Sequence, residues 1–238
     1  MADKQTARVP LSEQAYRQIK ERIVSVVLRP GAMIDEAALA EELSLGRTPV
    51  HEAVLRLFAE ELLEAVPGRG YFVRSVGIDD IKMLFEAMII SERAAAVLAA
   101  RRITPLQIER LQQINLKLKK AMQKKDSLAV TYLNSNFHRT IYEATQNTFL
   151  YSSLDHLQTQ AQRLAYLCFS DQGDTQDLEE HYRKVDRDHD DLIGFLKDGK
   201  ETELVQVITR HVQLFHHRIS SYTSPAVSAL NLILSTAC

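Results

Sequence analysis

"LAEELSLGRTPVHEAVLRLF", Leu39–Phe58, is the stretch whose reading decides the fold. Gly46 divides it into two short helical segments. Pro49 falls in the first turn of the second segment, where a missing N–H costs nothing. Val50, Val54 and Leu57 recur at helical spacing and make one face apolar. Arg47, Thr48 and His51 stand at the exposed start of that helix. Such a pair reads either as a helix–turn–helix, whose second helix offers its first turn to base edges in the major groove, or as two amphipathic helices that only pack on their neighbours.

Upstream, the spacing of Tyr16, Ile19, Ile23 and Val27 predicts a helix from a Ser12 cap to about Val27, ended by Arg29-Pro30-Gly31. Asp35 is the expected cap of a helix over about 36–43, and the next runs over about 48–60. Downstream, "LLEAVPGRGYFVRSV" has two short apolar runs around Pro67-Gly68-Arg69-Gly70, which predicts a tight hairpin. Three helices and a hairpin make a winged helix–turn–helix. Its DNA-reading candidates are Arg47, Thr48 and His51, with Arg69 and Gly70 at the wing tip. Acidic and basic residues nearly balance over positions 1–75, so DNA binding must come from a local patch.

After Val76 the pattern changes to long helices. They are expected from Asp79 or Asp80 to Arg102, then over about 105–124, 126–145, 148–170, 177–198 and 200–222. Thr104-Pro105 is a cap followed by proline, and "SDQGDTQD", Ser170–Asp177, reads as a loop. The expected architecture is mostly α. Residues 1–10 form a flexible arm, 11–76 the winged helix–turn–helix, 77–222 an all-α bundle, and 223–238 a tail. The absence of Trp, only 8 Gly and a charge of −2 fit that class. No apolar run approaches the ~20 residues that cross a bilayer. "MADKQTARVP" has no apolar centre and so no signal peptide. Cys168 and Cys238 make no disulfide framework. A cytoplasmic protein without membrane partners is expected.

Histidines recur on the predicted long helices. Asn134 and His138 in "LNSNFHRTIYEATQN" share a helical face, and His189 and His211 fall on two later helices. Three neutral imidazoles, an oxygen donor and open positions suit a divalent transition metal such as zinc or nickel. An inward histidine is more often a hydrogen-bonded core residue, so a metal-free reading stands beside the first. His181, His216 and His217 read as structural or surface residues, and Cys168 as core. An enzyme is the rival class, since histidine-bound metal can activate water. However, "HEAVL" at His51 lacks the second histidine of HExxH. No Gly-x-Ser-x-Gly, P-loop or Rossmann fingerprint occurs.

The stretch "LRPGAMIDEAALAEELSLGRTPVHEAVLRLFAEELLEAVPGRGYFV" resembles the DNA-binding domain of GntR-family bacterial regulators. The second half resembles the helical ligand-binding (FCD-type) domain of the FadR subfamily. The resemblance implies a homodimer on double-stranded operator DNA, a repressor more readily than an activator, controlled by a small metabolite. It implies a metal held by His138, His189 and His211, with Asn134 where the family has Asp. It also implies a carboxylate as one candidate effector, although Met88 stands where an Arg usually faces the cavity, four residues before Glu92. Arg163 and Tyr166 are further candidates for effector contact. Gly46 stands where Ser is usual, and His51 where Arg is usual.

Overall fold

The computed structural model describes residues 9–170 and 175–223. Residues through Val76 form one compact unit and those from Gly77 a second. The expected arm and tail lie largely outside the described residues.

The first unit comprises α1 (Leu11–Val24), α2 (Glu36–Glu42), α3 (Arg47–Ala59), β1 (Leu63–Val66) and β2 (Gly70–Val73). Pro10, not Ser12, occupies the N-cap of α1, and no side chain caps it. Proline with φ fixed near −65° is already set for the helix entrance, so no hydroxyl is required. The helix ends at Val24, short of the expected Val27, because Val26 turns to φ 59°. Asp35 caps α2 as expected, accepting from the backbone N–H of Ala37 and Ala38 at 3.0 Å each. Gly46 caps α3 without a side-chain bond.

The hairpin is antiparallel, with Leu63 opposite Val73 and Val66 opposite Gly70. Gly68 and Gly70 have φ of 73° and 94°, which side chains rarely adopt, so the wing turn needs both glycines. The segment after the "RPG" break lies along β2: Ile34 N–H donates to Tyr71 C=O, and Val73 N–H to Ala32 C=O. This edge ties the wing to the helices. Ile19, Ile23, Val50, Val54, Leu57 and Leu62 fill the core they share.

The second unit is α4 (Ile78–Arg102), α5 (Pro105–Gln123), α6 (Ser127–Ala144), α7 (Thr148–Ser170), α8 (Thr175–Asp198) and α9 (Glu201–Thr223). Asp80 accepts from Gly77 N–H and fixes the start of α4. Thr104 and Gln107 cap α5 reciprocally. Helix α8 begins two residues before the expected Asp177, which shortens the predicted loop; residues 171–174 are outside the description. The core gathers Ala95 and Ala99 of α4, Phe137 and Ile141 of α6, and Leu192, Leu196, Leu204 and Ile208 of α8 and α9. Small residues on α4 allow α9 to pack closely on it.

Asp35→Ala removes the α2 cap and leaves two N–H groups to water. Chemical denaturation of the full chain should show about 1 kcal/mol lost from the transition that unfolds the first unit.

Candidate functional site

Two sites emerge, one in each unit. On α3, Val50, Ala53, Val54 and Leu57 are buried, while Arg47, Thr48 and His51 are exposed. His51 Nδ1 lies 3.0 and 3.2 Å from the two carboxylate oxygens of Glu36 on α2. Arg69 projects from the wing turn, its guanidinium 5.2 Å from the Phe72 ring. Gly70 contributes backbone conformation and no contact group.

Ion pairing explains how a unit of balanced charge can carry a basic patch. Arg17, Lys20, Arg22, Arg56 and Arg74 are each paired to a glutamate. Among the described residues of this unit, Arg29, Arg47 and Arg69 are the cations without an ion pair. Two of these three lie at the start of α3 and at the wing tip.

In the helical unit, His138 of α6, His189 of α8 and His211 of α9 bring ligand atoms within 4.8 Å of one another, all three buried. His138 Nε2 and His211 Nε2 are 3.2 Å apart. Two imidazole nitrogens at that distance either share one proton or face a common cation. His189 Nε2 is buried and has no hydrogen-bond partner. The far side of each ring faces an oxygen. His189 Nδ1 is 3.3 Å from Asn115 Oδ1, and the Asn115 amide in turn donates to Asp190. His211 Nδ1 is 3.5 Å from Asp188, which also receives Arg210. His138 Nδ1 is 3.6 Å from Glu92, whose carboxylate accepts from Tyr142 OH. Asn115 Oδ1 behind His189 favours the tautomer with the proton outside and the Nε2 lone pair inward, whereas His138 Nδ1 and His211 Nδ1 face their carboxylates without a hydrogen bond among the described residues. The His189 ring is further locked by stacking on Phe137 at 4.0 Å.

Burial, and then the neighbouring His211 and His138, push the His189 pKa well down. Burial also lowers His211, against the raising effect of Asp188. Neutral rings are what metal ligation requires. Three converging buried ring nitrogens, one of them without a hydrogen-bond partner, therefore fit a divalent transition metal.

A cavity of about 40 Å³ adjoins the cluster, room for a few water-sized groups. His138, His211, Glu92 and Asn134 line one part of it. Met88, Met122, Phe169, Val212 and Phe215 supply apolar wall, and among the described residues no Lys or Arg lines it. Of the effector candidates, Met88 is on the wall. Arg163 is buried and Tyr166 half-buried on α7, neither among the lining residues, where Ala161 and Ala165 stand instead.

Sequence reasoning missed three contributors. Asn115 and Asp188 orient ligand rings from other positions in the fold. His181, read as structural or surface, lines the cavity beside Tyr182. Burial and then Arg218 lower its pKa to about 3, so it stays neutral. A signal existed: residues 181, 185 and 189 follow one another at four-residue spacing on α8. His216 is exposed against the Phe85 ring, and His217 is exposed. No described helix is long and apolar enough to cross a membrane.

Comparison with known proteins identifies both units. Residues 83–214 match the FCD domain, and residues 11–73 match "Bacterial regulatory proteins, gntR family". The chain is 30% identical over 149 residues to the HTH-type transcriptional regulator McbR of Escherichia coli (strain K12), covering 63% of this chain and 67% of that protein. It is 24% identical over 204 residues to the HTH-type transcriptional repressor RspR of the same organism, covering 86% of each. The solved structure of E. coli McbR/YncC has the same fold, with TM-score 0.77 at 24% identity over 90% of this chain and 99% of that one.

Proposed function

Because the chain belongs to the GntR family of bacterial regulatory proteins and carries an FCD domain, it is a DNA-binding transcriptional regulator and not an enzyme, and we propose that it acts as a cytoplasmic homodimer switched by a small metabolite. Repression is the proposed mode, on the likeness to the repressor RspR. The observation that carries the reading is the pairing pattern of the first unit. Among its described residues, the cations are paired with glutamates except at Arg29, Arg47 and Arg69. In this reading Arg47 and Thr48 meet base edges or phosphates of a two-fold operator, and Arg69 meets the backbone or minor groove beside it.

His138, His189 and His211 would hold a divalent transition metal such as zinc or nickel through their Nε2 atoms, with Asn134 as a neutral oxygen donor or a holder of bound water. When bound, the metal supplies positive charge that can ligate an effector oxygen. That charge matters if the effector is a carboxylate, since no Lys or Arg lines the cavity among the described residues. Glu92, Asn115 and Asp188 keep the rings oriented, and Met88, Phe169 and Phe215 exclude water from the apolar part. Occupation of the cavity would favour one arrangement of the DNA-binding units and so set their spacing on half-sites.

The homodimer has a candidate face on α4. Met83 is 58% exposed and Ile90 70% exposed. Ala87, Ala94 and Val97 continue their stripe at helical spacing. Glu86 and Arg93 flank Ile90 with no ion-pair partner among the described residues. A two-fold axis near Ile90 would set Glu86 of one copy against Arg93 of the other, and Met83 against Val97, which is the self-complementarity an isologous contact needs.

Arg47→Ala should weaken binding to a selected operator by roughly 1–3 kcal/mol, read by titration at several salt concentrations; unchanged affinity would remove the docking account. Asn134→Asp places a negative charge beside a dication and should tighten metal retention about tenfold in competition with a fluorescent chelator, whereas His→Ala at 138, 189 or 211 should lose the metal. Should Asn134→Asp leave retention unchanged while the alanine variants keep their metal, the histidines are core residues only. Ile90→Arg should convert dimer to monomer in analytical ultracentrifugation while the helical circular dichroism is kept; an intact dimer would place the interface elsewhere.

A further inference from the structure

Of Arg47, Thr48 and His51, only His51 is held by another side chain among the described residues. The two carboxylate oxygens of Glu36 straddle its Nδ1 at 3.0 and 3.2 Å. An ionised carboxylate only accepts hydrogen bonds, so the ring proton belongs on Nδ1. In the neutral ring, Nε2 is then left with a lone pair and no proton, on the ring edge turned away from Glu36. The His51 side chain is 53% exposed, so this edge is open to a partner.

The carboxylate itself is well placed. Glu36 is the first residue of α2, whose start is fixed by the Asp35 cap. Leu39 and Ala40 of α2 share a core with Val50 and Val54 of α3. The distance between Glu36 and His51 is thus set by two packed helices rather than by a loop.

We propose that Glu36 fixes His51 as a hydrogen-bond acceptor on the recognition helix, so that one operator position is read through an exocyclic amino group, N4 of cytosine or N6 of adenine, and not through guanine. The major groove shows those amines as donors, whereas guanine shows only the acceptors N7 and O6. An arginine at this position would have the opposite preference, since it carries donors alone. Glu36 is a positioning residue in this scheme and touches no base. The proposal rests on the operator-binding reading above and adds which chemical group is recognised.

The test uses the full chain at about pH 8. Operators are selected from a randomised pool with the wild type and with His51→Arg, and the base pair at which the two motifs differ marks the contact. At that pair of the wild-type operator, the amine is deleted by using 2′-deoxynebularine for adenine or 2′-deoxyzebularine for cytosine. In a parallel duplex the purine N7 is deleted by a 7-deaza analogue. Amine deletion should weaken wild-type binding by about three- to tenfold, the worth of one hydrogen bond, and N7 deletion should not. Glu36→Gln, whose amide can donate as well as accept, should lose much of that amine dependence and tolerate guanine. The wild-type duplex measurements stand whether or not the Glu36 variant folds. Identical motifs for wild type and His51→Arg, loss confined to the 7-deaza duplex, no loss from amine deletion, or full amine dependence in a folded Glu36→Gln would each overturn the proposal. A pool that enriches no sequence would count against operator binding itself, and so against both readings.

Discussion

The helical unit is organised around a contact that an apolar core would not tolerate by itself: His138 Nε2 and His211 Nε2 at 3.2 Å, with His189 beside them. Three imidazoles from α6, α8 and α9 meet inside a bundle otherwise filled by Phe137, Leu192 and Ile208. An unsatisfied buried polar atom costs about 1–3 kcal/mol, so His189 Nε2 is a standing debit unless something occupies the space it faces. The surrounding residues are arranged for such an occupant. Asn115 holds the outer edge of His189, and the Asp188 and Glu92 carboxylates face the outer edges of His211 and His138, leaving the inner nitrogens free to act together. A cavity opens beside His138 and His211, with an apolar wall opposite. Packing, hydrogen bonding and access therefore agree on one place where a small ligand can change the energy of three helices at once.

The winged-helix unit solves a different problem, that of attracting a polyanion with almost no net charge. Glutamates neutralise most of its cations through local pairs, some of them partly buried, such as Lys20 with Glu60. Arg47 and Arg69, at a helix start and a hairpin tip, form no ion pair among the described residues. Selective neutralisation concentrates the positive potential where the fold also offers backbone and side chains to a groove. The glycines at the wing turn serve the same end, since Gly68 and Gly70 carry the positive φ that projects Arg69 outward.

Local patterns carried most of the architecture. Asp35 before an apolar-periodic run, Gly46 ahead of Arg-Thr-Pro and Thr104-Pro105 each marked a helix start that the structure contains. The hairpin followed from two glycines around Arg69. The exception at Ser12 is instructive: Pro10 starts α1 two residues earlier, because a preset φ substitutes for a hydroxyl cap. At the sites, residue types on one helix face were readable but their partners were not. Glu36 lies 15 residues from His51, and Asn115 lies 74 from His189. Such pairs exist only once helices pack, and no periodicity announces them. Arg163 and Tyr166 show the converse, since their helix is at the cavity but presents alanines to it. His181 was within reach of a four-residue stripe and was hidden by the number of histidines nearby.

The account turns on whether the three Nε2 atoms act as ligands, and the most direct measurement is the X-ray absorption spectrum of the full chain loaded with zinc. One tightly held zinc per chain, with about three imidazole nitrogens at ~2.0–2.1 Å and the remaining positions filled by oxygen, is the predicted result. Zinc that is not retained, or a coordination sphere of oxygen alone, would contradict it and return His138, His189 and His211 to the role of a hydrogen-bonded core.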